Sequence, residues 1–227
     1  METNKPTSLS RRSAIGGMGA AMALPLVGPT ISPTAKPVEG KVALVTGSGR
    51  NLGRAAVLEL ARRGADVVVN ARSNREEAEA VAGEAEALGV RAIALLADVG
   101  NEQQVNQMVA EALGTFGRID ILINNAGFRG SSSIAEMSTD EWRAAAAVNY
   151  DGPFFCTRAV VPTMISNGYG RIITVSGLNS FHGRPNWSHV CGSKMGAMGM
   201  TKALAVELAH VVPEHLPQLD VDPGRRF

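Results

Sequence analysis

From Lys41 onward, short apolar runs alternate with amphipathic stretches, and no other feature constrains the fold of this chain as strongly. The runs are Val42 to Thr46, Asp66 to Asn70 with its valine triplet, Ala92 to Ala97, Ile119 to Ile123 and Arg171 to Val175. Nearly continuous apolar runs of this length fit strands covered on both faces. Between them, Leu52 to Arg63, Arg75 to Leu88 and Val105 to Phe116 have helical spacing, with Gly64, Gly89 and Gly117 just past their ends, where left-handed backbone closes a helix. A further helix is expected to start near Ser138, because Ser138 and Glu141 have capping-box spacing, and a last one covers roughly Ser188 to Ala209. Strand, helix, strand at this rhythm predicts an α/β domain with a three-layer, doubly wound parallel sheet.

Composition narrows the function. The 22 Lys and Arg residues stand against 21 Asp and Glu, a net charge of +1, so the chain lacks the basic excess of a nucleic-acid binder. With 45% hydrophobic and 19% charged residues it can bury a core of its own. Cys156 and Cys191 form no CxxC pair, and His182, His189, His210 and His215 lack zinc-ligand spacing, so two separate thiols and no structural metal are expected.

Residues 1–35 read differently from residues 36–227, which form the single expected domain. Arg11 and Arg12 precede a Gly/Ala-rich apolar run from Ala14 to Val27, and a Pro/Ser/Thr stretch follows to Ala35. That is the layout of a targeting segment. The tract Ser10-Arg11-Arg12-Ser13-Ala14-Ile15 resembles the twin-arginine export signal of bacteria. Its apolar run has 14 residues, interrupted by Pro25, against about 20 for a bilayer-crossing helix, so no stable membrane span is expected. Export to the periplasm by the twin-arginine route, with removal after Ala35, is the expectation; the other reading is a disordered tail on a cytoplasmic protein.

The first strand empties into Thr46-Gly47-Ser48-Gly49-Arg50-Asn51-Leu52-Gly53 and then a helix. Glycines there let the backbone turn sharply and approach a ligand, while free N–H groups at the helix start favour an anion. Thr46 to Gly53 resembles the TGxxxGxG motif of the short-chain dehydrogenase/reductase family, and Asn124-Asn125-Ala126-Gly127 matches that family's NNAG motif. The resemblance runs from about Lys41 to Ala209 and is of the 3-oxoacyl-ACP-reductase-like kind. It implies a Rossmann-type fold and a nicotinamide cofactor held by Gly47, Ser48, Arg50 and Gly53 of the loop, by Asp98 and Val99 beside the adenine, and by Asn125, Ala126 and Gly127. One departure is Asn51, which stands where the motif has its middle glycine; Asn tolerates left-handed backbone better than most residues.

Charge argues for the choice of cofactor. Asn70-Ala71-Arg72-Ser73, at the end of the second strand, contains no acid to accept a ribose 2′-hydroxyl, while Arg72 and Arg50 offer guanidinium forks for a 2′-phosphate. NADP is favoured, with NAD as the other candidate.

The resemblance also implies a catalytic set, and here the chain departs from it. Four residues before Lys194, where the family carries its tyrosine, stands Val190, which has no proton to transfer. The position of the family's serine falls on Gly177, with Ser176 as its neighbour and the nearest hydroxyl. Asn149 resembles the helix asparagine of the proton relay, and Lys194 the lysine that binds the nicotinamide ribose. Asn149, Ser176 and Lys194 are therefore the candidate catalytic residues, with His189 and His182 as candidate substitutes for the missing phenol. After Ala209 the family continues with a sixth strand, a Pro-Gly and a seventh strand, whereas His210 to Phe227 is broken by prolines and its Asp222-Pro223-Gly224 comes late, so the C-terminus reads as incomplete and the last strands as missing.

Two classes of function stay open on this evidence. The first is an oxidoreductase moving a hydride between NADP(H) and a small carbonyl or alcohol substrate, in a homo-oligomer of the family kind. The second is a catalytically inactive NADP-binding or interaction module, or a truncated, non-functional copy.

Overall fold

The computed structural model describes residues 36–209. The expected export signal and the Asp222-Pro223-Gly224 segment lie outside the described residues.

Strands β1 (Val42–Val45), β2 (Asp66–Ala71), β3 (Ala92–Leu96), β4 (Ile121–Asn124) and β5 (Arg171–Thr174) form one sheet in the order β3-β2-β1-β4-β5, with every neighbouring pair parallel. Successive side chains along a strand point to opposite faces. Leu44, Val68 and Leu122 accordingly enter one core with Val105, Met108 and Val109 of α3 (Glu102–Phe116) and Val160 of α5 (Gly152–Ser166). Val45, Val67, Val69 and Ile123 enter a second core with Val57 and Leu58 of α1 (Asn51–Arg62) and Val81 and Ala85 of α2 (Arg75–Glu86). Two cores flanking one sheet make the three expected layers of a Rossmann-type domain, and they explain why the strands read as continuous apolar runs.

Among the described residues, the buried Oδ1 of Asn124 at the end of β4 has no partner, whereas the buried acid that begins that segment is fully paired. Asp120 is fully buried, yet it accepts a hydrogen bond from the N–H of Val42 at 2.9 Å and two more from the Arg118 guanidinium, tying β4 to β1 at the amino end of the sheet. At the other end, strand order reverses between β1 and β4, which leaves a crevice beyond the carboxyl ends of the strands.

Element ends follow local chemistry. Gly64, Gly89 and Gly117 all take positive φ at the helix exits. Helix α3 begins one turn before its apolar pattern because the Asn101 side chain accepts from the Gln104 N–H. Ser138 and Glu141 form the expected capping box, which starts α4 (Thr139–Ala146). What the sequence pattern did not foretell is that α4 passes through a π-helical turn, Ala147–Asp151, into α5. A short α6 (Asn179–His182) precedes α7 (Ser188–Glu207). Among the described residues, β5 is an edge strand and its Ile173 is half exposed.

Candidate cofactor and active site

Thr46 is the knot that joins the glycine-rich loop to the NNAG segment. Its hydroxyl accepts from the N–H groups of Asn125 and Ala126, each at 3.0 Å, and the Asn125 amide donates back to the carbonyls of Thr46 (2.9 Å) and Gly47 (3.0 Å). Glycine is required at both ends of the loop. Gly47 has φ +60°, and a Cβ there would sit 2.9 Å from the Ala126 Cα; a Cβ on Gly53 would come within 2.6 Å of the Gly47 carbonyl. Asn51 adopts φ +51°, so the asparagine supplies the left-handed backbone expected of the middle glycine.

Asn70 completes the loop's support, a role that reading the sequence for a missing acid overlooked. Its Oδ1 accepts from the Gly47 N–H at 3.0 Å, and its Nδ2 donates to the carbonyls of Ala71, Leu95 and Ala97. Ser48 is buried, donating from Oγ to the Val45 carbonyl at 2.6 Å and accepting from the Asn70 N–H. Asp98 holds its own loop, its Oδ1 accepting from the Gly100 N–H at 2.9 Å, and Val99 is buried against Gly152.

At the other end of the crevice, Gly127 lies beside two candidate residues: its Cβ position is 3.5 Å from both Asn149 Oδ1 and Lys194 Nζ. The π-helical turn holds Asn149 buried, where its Oδ1 accepts from the Phe128 N–H (2.9 Å) and its Nδ2 donates to the Phe128 carbonyl (3.2 Å) and to Ser193 Oγ (3.3 Å). Lys194 is half-buried and donates to the Val175 carbonyl at 3.0 Å. Burial, and secondarily the Arg129 guanidinium, lowers its pKa below the usual ammonium value.

The remaining candidates separate. Ser176, the nearest hydroxyl to the expected serine position, is buried and meets no partner among the described residues, while its neighbour Gly177 is exposed. At Gly177 a Cβ would meet nothing within 4 Å, so the serine position is open space. Val190 is buried, as is His189, whose Nδ1 has no partner, while His182 is exposed on α6. Cys156 is buried and pushed up to about 12 by desolvation, and Cys191 donates to the Asn179 carbonyl; both are free thiols.

A dinucleotide fits this crevice on the evidence of the helix starts. Helices α2, α3 and α4 are capped by Asn74, Asn101 and Ser138 and carry acids in their first turns. Helix α1 has neither a side-chain cap nor an acid in its first turn, a state it shares with α5, α6 and α7, but it alone starts directly from the glycine loop, where its N–H groups and positive dipole end are open to an anion. Arg50 and Arg72 are exposed, and neither enters an ion pair among the described residues.

A parallel sheet whose reversal point carries a glycine loop, an NNAG turn and a helix lysine defines a nucleotide-binding α/β oxidoreductase. The short chain dehydrogenase family matches residues 41–212, and the chain belongs to that family. It is 40% identical over 169 residues to a 3-oxoacyl-[acyl-carrier-protein] reductase of Synechocystis sp., covering 74% of this chain and 68% of the relative. Among solved structures, it superposes on an NAD+-bound xylitol dehydrogenase (33% identity, TM-score 0.73, covering 77% of this chain and 67% of the other). It also superposes on a metagenomic short-chain oxidoreductase in complex with NADP (34% identity, TM-score 0.73, covering 77% and 79%). Among the described residues, no helix is long and apolar enough to cross a membrane.

Proposed function

We propose that this chain binds NADP(H) in preference to NAD(H) and moves a hydride between it and a small carbonyl compound or secondary alcohol. One observation carries the reading: the uncapped, acid-free start of α1 follows Arg50, and Arg72 stands just past the end of the neighbouring β2, both exposed and neither in an ion pair among the described residues. In this reading Gly47, Ser48 and Gly53 shape the loop for the pyrophosphate, Arg50 and Arg72 pair the 2′-phosphate, Asp98 and Val99 border the adenine, and Asn125, Ala126, Gly127 and Lys194 hold the nicotinamide half.

Bound NADPH supplies a hydride to a carbonyl carbon, and NADP+ withdraws one in the reverse direction. The chain's own part is to manage the proton. With aliphatic Val190 in the phenol's place, Lys194 is the acid: its ammonium gives a proton to the reduced oxygen, solvent restores it, and burial eases the transfer by favouring the neutral amine. Asn149 is a positioning residue, since its amide fixes Phe128 and Ser193 on either side of Gly127 and Lys194.

The test is NADPH consumption by the purified chain across a panel of aldehydes and ketones, with Lys194→Met in parallel. Turnover that falls at least about a hundredfold in the variant is expected. NADPH binding without turnover on any substrate contradicts the hydride-transfer reading and leaves a binding module.

A further inference from the structure

We propose that Arg129 selects the substrate, and that the crevice takes carbonyl compounds carrying a carboxylate or similar anionic group. The inference rests on the oxidoreductase reading above and adds the substrate class to it.

Arg129 belongs to the segment 127–130, which passes Lys194 at one end and His189 at the other. The Cβ position of Gly127 is 3.5 Å from Lys194 Nζ, and that of Gly130 is 3.1 Å from His189 Nε2. The backbone just before Arg129 is fixed, because the buried Asn149 amide clamps both the N–H and the carbonyl of Phe128, whose ring stands edge-on to His189 at 6.1 Å. The Arg129 side chain is exposed. Neither it nor Lys194 enters an ion pair among the described residues. Glu136 accepts from Ser133 and Glu141 from Ser138, and neither forms an ion pair among the described residues.

Arg129 follows the glycine that lies against Lys194, and its positive charge is the second cause, after burial, of the lowered pKa of Lys194. An anion held between them offsets both charges. A guanidinium suits that task because its planar fork matches the two oxygens of a carboxylate. Open space at Gly177, two residues beyond the carbonyl that Lys194 holds, leaves room for the rest of the molecule.

Calorimetric titration of the full chain saturated with NADP+ compares acetoacetate with methyl acetoacetate, which share a ketone and differ in charge. Acetoacetate is expected to bind at least about tenfold more tightly. Arg129→Ala should cut that margin at least about threefold without weakening the ester, Lys194 retaining the rest, and Arg129→Lys should keep more of it. Equal affinities, including no binding of either compound, overturn the proposal, as does a margin unchanged by Arg129→Ala; NADP+ binding in the same cell then leaves the oxidoreductase reading standing. Failure of NADP+ itself to bind overturns that reading, and this proposal with it.

Discussion

Val190 sits on the first turn of α7, buried, with Lys194 one turn further along the same helix face. A hydroxyl at this position would meet the ammonium, which favours a phenolate, so Val190→Tyr should raise carbonyl reduction. The gain expected of a positioned acid is about 10² to 10⁴-fold, read as kcat/KM with NADPH. Gly177→Ser adds a donor where the structure has open space, and the two changes should be more than additive because they act on one transition state. A double variant that binds NADPH yet gains no activity would refute the assignment. Lys194 gives a second prediction at this scale. Its folded pKa lies below the ordinary 10.5, so between the two values the unfolded chain holds more protons and stability rises with pH; below both, the burial penalty is constant. Urea unfolding from neutral pH toward 10 should show a shallower rise for Lys194→Met than for the parent chain, and parallel curves would contradict this. Sequence alone placed Lys194, Asn149 and Val190, because i, i+4 spacing and short motifs are local. It could not place Arg129 or Asn70, whose roles come from strands and loops that meet only in the folded sheet.

The glycine loop with α1 is the element on which cofactor binding turns. Asn51 holds a backbone conformation that an L-residue without a polar side chain adopts poorly. Asn51→Ala should therefore cost about 1 kcal/mol of stability and weaken cofactor binding, whereas Asn51→Gly should cost less than half of that. Chemical denaturation of the pair checks the order, and Ala proving the milder change would contradict it. The five strands and the first three helices were legible, since buried strands announce themselves as apolar runs and Gly64, Gly89 and Gly117 close their helices as their positions foretold, but the short α6 was not. The π-helical turn was not legible, because one extra residue in a helical register leaves the apolar pattern almost unchanged. Which side chain faces the crevice at the end of β5, Ser176 or its neighbour, was also not legible. The period of two along a strand says that neighbours face opposite ways, but which neighbour faces the crevice depends on how β5 registers against β4, where Asn124 pairs with Thr174.

For the whole molecule, charge placement motivates the proposals on destination and on cofactor. We propose, from the arginine pair ahead of a short apolar run, that the chain is exported folded, as a protein that loads its nucleotide before transport would need. A reporter fused to residues 1–35 should stay in the cytoplasm when Arg11→Lys and Arg12→Lys are combined, and undiminished export would rule out the twin-arginine route. The domain itself is near neutral, so the proposed preference for NADP(H) rests on Arg50, which precedes α1, and Arg72, just past β2, neither of which enters an ion pair among the described residues. Titration of the purified chain with NADPH and with NADH, followed by nicotinamide fluorescence, measures that selectivity directly. Tighter binding of NADPH is predicted, with Arg72→Ala weakening NADPH roughly fivefold, the effect of about 1 kcal/mol from one exposed pair, and leaving NADH unchanged. Equal affinities for the two cofactors, unaltered by the substitution, would contradict it.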